Sequence, residues 1–191
     1  MTALPGPDGR LRCPWALASE DYRAYHDTEW GRSVNGEAAL FERLSLEGFQ
    51  SGLSWITILR KREAFRRAFA GFDPHAVARF GDAEVAALMG NAGIVRNEAK
   101  IRATIGNAQA LLALPDGESL QTLLEKHRPA QKAAPQESSD VPADTEESRS
   151  LSRDLRMRGF RFVGPVTAYA MLQATGYVND HLAGCEFREP D

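Results

Sequence analysis

Residues 158–176, RGFRFVGPVTAYAMLQATG, decide the fold. Gly159 closes a helix predicted over about 146–158, with Thr145 as its N-cap and Leu151 and Leu155 on its apolar side. The hairpin GFRFVGP follows, its two glycines allowing a tight reversal. Pro165 then opens a second helix, predicted over about 166–175 and closed by Gly176. At the least this is a simple corner between two helices. It is also a candidate phosphate site. The backbone N–H groups at the start of the second helix point outward, and arginines on the first would strengthen the contact.

The rest of the chain reads the same way. Ser19 can cap a helix that puts Tyr22, Tyr25 and His26 on one face. Residues 37–48 form a helix with Leu40, Phe41, Leu44 and Gly48 inward, and 53–70 another through Leu53, Ile56, Leu59, Phe65 and Phe69. Asp73 and Pro74 stop one helix and start the next, and Gly90 ends a short helix begun near GDAE 81–84. Residues 96–113 carry a long amphipathic pattern. No strand alternation of useful length and no internal repeat occurs, so the expected class is all-α, a single domain over 12–191 made of two helical lobes. Residues 1–11, with Pro and Gly and no periodicity, are expected to be disordered. Residues 128–144, with three prolines and few large apolar groups, are expected to be a mobile connector.

Bulk composition narrows the function. The 191 residues carry a net charge of −3, which does not favour broad electrostatic capture of nucleic acid. The charge is uneven, however. RKREAFRR at 60–67 is basic, Arg153, Arg156, Arg158 and Arg161 cluster, and 136–147 is acidic. No apolar run can span a bilayer, and the N-terminus has no secretory h-region. Two cysteines in such a chain fit a reducing cytoplasm.

Both cysteines stand near a histidine: Cys13 with His26, and His181 with Cys185. Together they would make a full tetrahedral zinc set, closed and therefore structural, which would tie the N-terminal segment to the C-terminal tail. Glu47 falls on the inward face of its helix, at i+7 from Leu40. It either pairs with an arginine, or lies where the helix frays before Gly48, or lines a pocket for a cationic or hydrogen-bonding ligand. Tyr22, Tyr25, Trp30 and Trp55 lie close in sequence. Such rings are more often core than pocket, yet beside a carboxylate they would suit a flat cationic ring.

Taken together, RCPWA 12–16, YHDTEWG 25–31, LEGFQSGLSWITILRKRE 46–63, NAGIVRNEAKI 91–101, RGFRFVGP 158–165 and VNDHLAGC 178–185 resemble 3-methyladenine DNA glycosylase I, a branch of the helix-hairpin-helix glycosylase superfamily. The resemblance implies a helix-hairpin-helix fold and excision of 3-methyladenine from alkylated double-stranded DNA by a monomer. It implies one structural zinc on Cys13, His26, His181 and Cys185. Glu47 and Tyr25 would contact the extruded base and serve catalysis, with Trp55, Trp30 and Tyr22 completing an aromatic pocket. Leu53 would wedge into the gap left by the base. Gly159, Arg161, Phe162 and Gly164 of the hairpin would hold the DNA. Related enzymes place a catalytic aspartate shortly after the hairpin, and the resemblance puts Asn179 there, with Asp180 beside it pointing elsewhere. No lysine follows the hairpin, where Val166 and Thr167 stand, so strand-cleaving Schiff-base chemistry is not expected. The competing reading is a non-catalytic, zinc-stabilised DNA-binding module.

Overall fold

Thr145 begins helix α8 (Glu146–Met157) as its composition requires. Its hydroxyl accepts from Ser148 N at 3.3 Å, and Ser148 Oγ accepts from Thr145 N at 2.9 Å. A computed structural model describes residues 1–130 and 133–189 of the chain. Residues 131 and 132 of the expected connector, and the last two of the expected domain, lie outside the described residues. Helix α9 (Pro165–Ala174) opens on its proline and packs against α8, which makes the corner.

Seven further α-helices precede this pair among the described residues: α1 (Glu20–Thr28), α2 (Glu37–Gln50), α3 (Trp55–Ala68), α4 (Pro74–Val77), α5 (Asp82–Gly90), α6 (Glu98–Leu112) and α7 (Leu120–Lys126). Helix α2 is the axis of the molecule. All ten residues from Leu40 to Phe49 are buried, because α3, α6, α7 and α9 pack around it. Phe49, Phe65, Phe69 and Phe72 interlock beside it, and the apolar core runs on through Ile101, Leu124, Leu155 and Leu172. A smaller cluster of Cys13, Leu182, Cys185 and Phe187 lies under Trp15 and Trp30.

Four expectations change. First, α3 buries Ile58 and Phe65, whereas Ile56 and Leu59 are half-buried and Leu53 is 41% exposed. The reason is local: Gly52 takes φ +81°, the chain turns through 51–54, and the helix begins only at Trp55. Second, 1–11 carries a short ribbon where no periodic pattern is read. Leu4–Pro5 (β1) pairs antiparallel with Leu11–Arg12 (β2), a small addition to an otherwise helical fold. The Pro and Gly residues make the turn, and the buried Arg12 guanidinium fastens it by bonding both oxygens of Asp8 at 2.6 and 2.7 Å. Third, the described residues of 128–144 are irregular apart from a turn at Ser138–Asp140, yet they are tied to both ends of the chain. Ser138 N donates to Met1 O at 2.9 Å and Ala183 N donates to Pro135 O at 2.8 Å. Fourth, α7 was not foreseen. Ser119 caps it, and Leu120, Leu123 and Leu124 bury themselves in the core.

Candidate active site and metal centre

Cys13 precedes a 3₁₀ turn at Pro14–Ala18, His26 sits on α1, and His181 and Cys185 flank a tight turn in the tail. All four are buried, and their ligand atoms lie within 4.8 Å of one another. The separations are 3.1 Å from His26 Nε2 to His181 Nδ1, 3.5 Å from Cys185 Sγ to each of those nitrogens, and 4.0 Å from Cys13 Sγ to His181 Nδ1. A tetrahedral zinc with ordinary bond lengths requires about 3.3 Å between nitrogens and about 3.6 Å between nitrogen and sulfur. The set therefore fits that ion.

The surrounding groups aim the ligands. Asp27 holds His26 Nδ1 at 2.8 Å, which turns Nε2 to the centre, and Arg12 holds Asp27 in turn through Nη2 at 2.8 Å. The Trp30 carbonyl holds His181 Nε2 at 3.1 Å, leaving Nδ1 inward. Gly31 makes this approach possible: it has φ +76°, and a Cβ there would lie 3.2 Å from His181 Nε2. The neighbouring Cys13 thiol holds Cys185 far below the ordinary thiol range, and Cys185 in turn pushes Cys13 far above it.

Beside this centre lies a cavity of about 320 Å³. Helix α1 supplies Tyr22 and Tyr25, α2 supplies Glu47, α3 supplies Trp55, and Trp30 follows α1, so all five expected pocket residues line it. Trp15, Gln50 and Gln173 line it too and were not foreseen. Trp15 meets Tyr22 and Trp30 edge-on at 5.6 and 5.1 Å between ring centroids, so it braces the aromatic wall. Tyr22 gives its ring to the cavity while its hydroxyl accepts from Ile56 N at 3.0 Å, joining α1 to α3. Trp55 Nε1 is buried without a hydrogen-bond partner among the described residues.

Glu47 is 5% exposed, and α2 continues past it to Gln50, so no fraying explains the side chain. Pairing with an arginine does not either. Among the described residues Glu47 makes no hydrogen bond and no ion pair. Arg43, one turn earlier, donates instead to Glu29 at 2.7 Å, where Arg62 also binds through both guanidinium ends. Burial lifts the Glu47 carboxyl to about 8, against a smaller downward pull from the Arg43 charge. Burial, and next the Glu47 charge, push the Tyr25 hydroxyl upward as well. A buried acid with no partner among the described residues, walled by aromatic rings, has the chemistry to suit a ligand that is cationic or rich in N–H donors.

The hairpin differs from the expected pair of permissive glycines. Gly159 is left-handed at φ +94°, but Gly164 is extended, and Phe162 takes the second left-handed position at φ +54°. Clamps on either side hold this strained phenylalanine. Asn107 accepts from Arg161 N at 2.7 Å and donates to Arg161 O at 3.0 Å, while Ser152 Oγ donates to Val163 O at 2.6 Å. Phe162 is 41% exposed, and the exposed Arg161 forms no ion pair among the described residues. Asn179 does not face the cavity side: it donates to Arg188 O at 2.8 Å and accepts from His181 N at 3.3 Å, bracing the tail. Residues 177–180 are not helical, so Asp180 is not turned away by helix geometry. Its Oδ2 accepts from Tyr169 Oη at 2.6 Å and from Gln173 Nε2 at 2.8 Å, which links it to a cavity-lining residue.

Comparison with known proteins gives a consistent picture. A family described as Methyladenine glycosylase matches residues 15–189. The chain is 43% identical over 178 residues to a DNA-3-methyladenine glycosylase of Haemophilus influenzae, covering 91% of this chain and 96% of that one. It is 44% identical over 178 residues to DNA-3-methyladenine glycosylase 1 of Escherichia coli, covering 91% and 95%. A crystal structure of a 3-methyladenine DNA glycosylase I variant in complex with 3-methyladenine superposes with a TM-score of 0.87 at 32% identity, covering 94% of this chain and 98% of that one.

Proposed function

The chain belongs to the methyladenine glycosylase family, and from that premise we propose how its own residues act. The activity is that of a DNA-3-methyladenine glycosylase, a hydrolase of N-glycosyl bonds in DNA repair. The observation that carries the assignment of residues is Glu47, an acid buried in an aromatic cavity without a partner among the described residues.

An enzyme acting on one base of a duplex takes that base out of the stack, and a damaged, poorly paired base is cheaper to unstack. 3-Methyladenine in DNA is cationic. In the cavity the Glu47 carboxylate, ionised opposite that charge, and the Tyr25 hydroxyl bond its edge, while Trp55, Trp30 and Tyr22 present ring faces. When the bond from the sugar carbon to the base nitrogen breaks, its electron pair stays with the base, which leaves neutral. Water adds to the sugar carbon and gives up a proton to solvent, which leaves a sugar hydroxyl. The positive ring is already a good leaving group, so the reaction needs little further activation, and Asn179 in the tail is not required to act as a base. No amine follows the hairpin, so the enzyme releases the base and leaves the strand intact. Leu53 fills the gap in the duplex. The hairpin of the helix-hairpin-helix element, Gly159 to Gly164 with Arg161, holds the backbone phosphates.

The donor set Cys13, His26, His181 and Cys185 would hold one zinc per chain. Its chemistry is structural: four protein ligands leave no open position, and the ion pins the N-terminal segment to the tail. No helix among the described residues is long and apolar enough to cross a membrane, and a monomer acting on duplex DNA in a reducing cytoplasm fits the two thiols.

The test is release of free base from duplexes carrying 3-methyladenine, 3-methylguanine or 7-methylguanine, with Glu47→Gln beside the parent. The parent should release 3-methyladenine without nicking, and the variant should lose most of the rate while keeping its helical circular dichroism. A DNA-binding module without chemistry would release no base, and a borohydride-trapped adduct would overturn the single-activity reading.

A further inference from the structure

Lys100 lies in the first turn of α6 and is 8% exposed. Its ammonium donates to Phe49 O at 2.8 Å and to Ser51 O at 2.6 Å, carbonyls at the end of α2 that the helix itself leaves unpaired. It forms no ion pair among the described residues. Buried lysines are rare without a carboxylate, so what compensates here is a pair of backbone carbonyls and the negative end of α2. The Phe162 ring centroid stands 6.0 Å from the same ammonium.

Asn107, seven residues along the same helix and so on the same face, holds both backbone groups of Arg161. One rigid helix thus grips two loops, Lys100 the turn at 51–54 and Asn107 the hairpin at 159–164. Each loop carries an apolar side chain that is 41% exposed, Leu53 on one and Phe162 on the other. The grips lie about 10 Å apart along the axis at 1.5 Å per residue. Neither Lys100 nor Asn107 lines the base cavity.

We propose that Lys100 is a positioning residue for base extrusion: by clamping the carbonyls that begin the 51–54 turn, it fixes Leu53 at a set distance from the hairpin held by Asn107. The inference rests on the glycosylase reading and on Leu53 as the wedge. Lys100 touches neither the base nor the reacting bond. Its loss should impair work on a stacked, paired base and spare recognition of a free one.

The experiment compares parent, Lys100→Met, the milder Lys100→Gln, which retains a donor, and Asn107→Ala. Three quantities are read: affinity for free 3-methyladenine by tryptophan quenching, excision from a fully paired duplex, and excision from a duplex with the lesion opposite an abasic site. Lys100→Met should bind free base within about twofold of the parent, and its excision from the paired duplex should fall by about thirtyfold. The loss should shrink to about fivefold or less opposite the abasic site, where less unstacking and unpairing is needed. Lys100→Gln and Asn107→Ala should follow the same pattern with smaller losses. An equal loss on both duplexes, weakened free-base binding, or failure of both Lys100 variants to fold would make Lys100 merely structural and overturn the proposal. Parent-like excision by Lys100→Met would overturn it too. An inactive parent would instead sink the glycosylase reading itself.

Discussion

Arg43 and Glu47 stand one turn apart on α2, yet the arginine bonds Glu29 at 2.7 Å and leaves the glutamate without a partner among the described residues. Glu29 also takes Arg62 at 2.6 and 2.8 Å, so it draws two cations away from the cavity wall. The Arg43 guanidinium then lies 5.6 Å from the Tyr25 ring and acts on Glu47 only through space. A direct bond between Arg43 and Glu47 would have neutralised the feature that suits the pocket to a cationic ring.

Glu47 should therefore lower the stability of the free protein as pH rises. Burial lifts its carboxyl from 4.5 to about 8. Between those values the unfolded chain gives up a proton that the folded chain keeps. Stability associated with this group is full below about 4.5 and declines as pH climbs to about 8. Glu47→Gln removes the slope. Thermal or urea unfolding should find the variant close to the parent at pH 5 and more stable at pH 8, by on the order of a few kcal/mol. A variant less stable than the parent at both pH values would mean that Glu47 has a structural partner.

The zinc centre proposed on Cys13, His26, His181 and Cys185 should behave as a clasp. Removal of zinc by a strong chelator should lower Tm by on the order of 10 °C, with unfolding beginning in the N-terminal segment and tail. Cys185→Ser should do the same and reduce the zinc content of purified protein from one per chain to well below it. Because the centre lies beside the pocket through Trp30 and Trp15, free-base affinity should weaken as well. Elemental analysis with calorimetry checks the first claim, and hydrogen exchange checks where opening begins.

Much of this arrangement was legible in the sequence, for identifiable reasons. Ser19, Asp73, Thr145, Gly159 and Gly176 mark helix ends through chemistry local to each residue, so those ends fall close to where they were expected. The Cys and His residues and the aromatic residues announce themselves by type and spacing. What could not be read depends on partners far along the chain. Lys100 gives no signal because its acceptors are main-chain carbonyls, about fifty positions away and common to every residue type. Gln173 reaches the cavity only because α9 packs on α2. Phe162 in a left-handed conformation is opposite to the expected glycine, and it is held by Asn107 and Ser152 from two other helices. Arg12 turns a Pro- and Gly-rich N-terminus into an ordered ribbon through Asp8 and through Asp27 on α1.

Asp154 should be a structural keystone far from the chemistry. Its carboxylate is nearly buried and meets His127 at 2.9 Å and Lys126 at 3.0 Å, with a further close contact to Arg158. Burial raises the carboxyl, but bonds from His127 and Lys126 and the Arg158 charge outweigh it and hold the group down to about 2. Its contribution is present above the ordinary aspartate value near 4 and is lost as pH falls towards 2. Asp154→Ala leaves Arg158 and His127 without this acceptor and should cost about 3 kcal/mol, measured by urea unfolding at pH 7. Its folded fraction should excise 3-methyladenine at close to the parent rate, since Asp154 and its partners neither line the cavity nor bond the 51–54 turn or the 159–164 hairpin.

Leu53 separates function from stability in the opposite sense. It is 41% exposed in the 51–54 turn, so its side chain adds little to the core, and Leu53→Ala should change unfolding free energy by no more than about 0.5 kcal/mol. As the proposed wedge, however, it would occupy the space of the extruded base only in the complex with DNA. Excision from a paired duplex should fall by about tenfold or more, with free-base affinity unchanged. Leu53→Phe, which restores apolar bulk, should recover part of the rate. Fluorescence of a 2-aminopurine placed beside the lesion reports extrusion directly and should drop with the alanine variant. An unchanged signal and rate would show that the turn meets DNA without entering it, and the exposed Phe162 on the hairpin would then be the side chain to substitute.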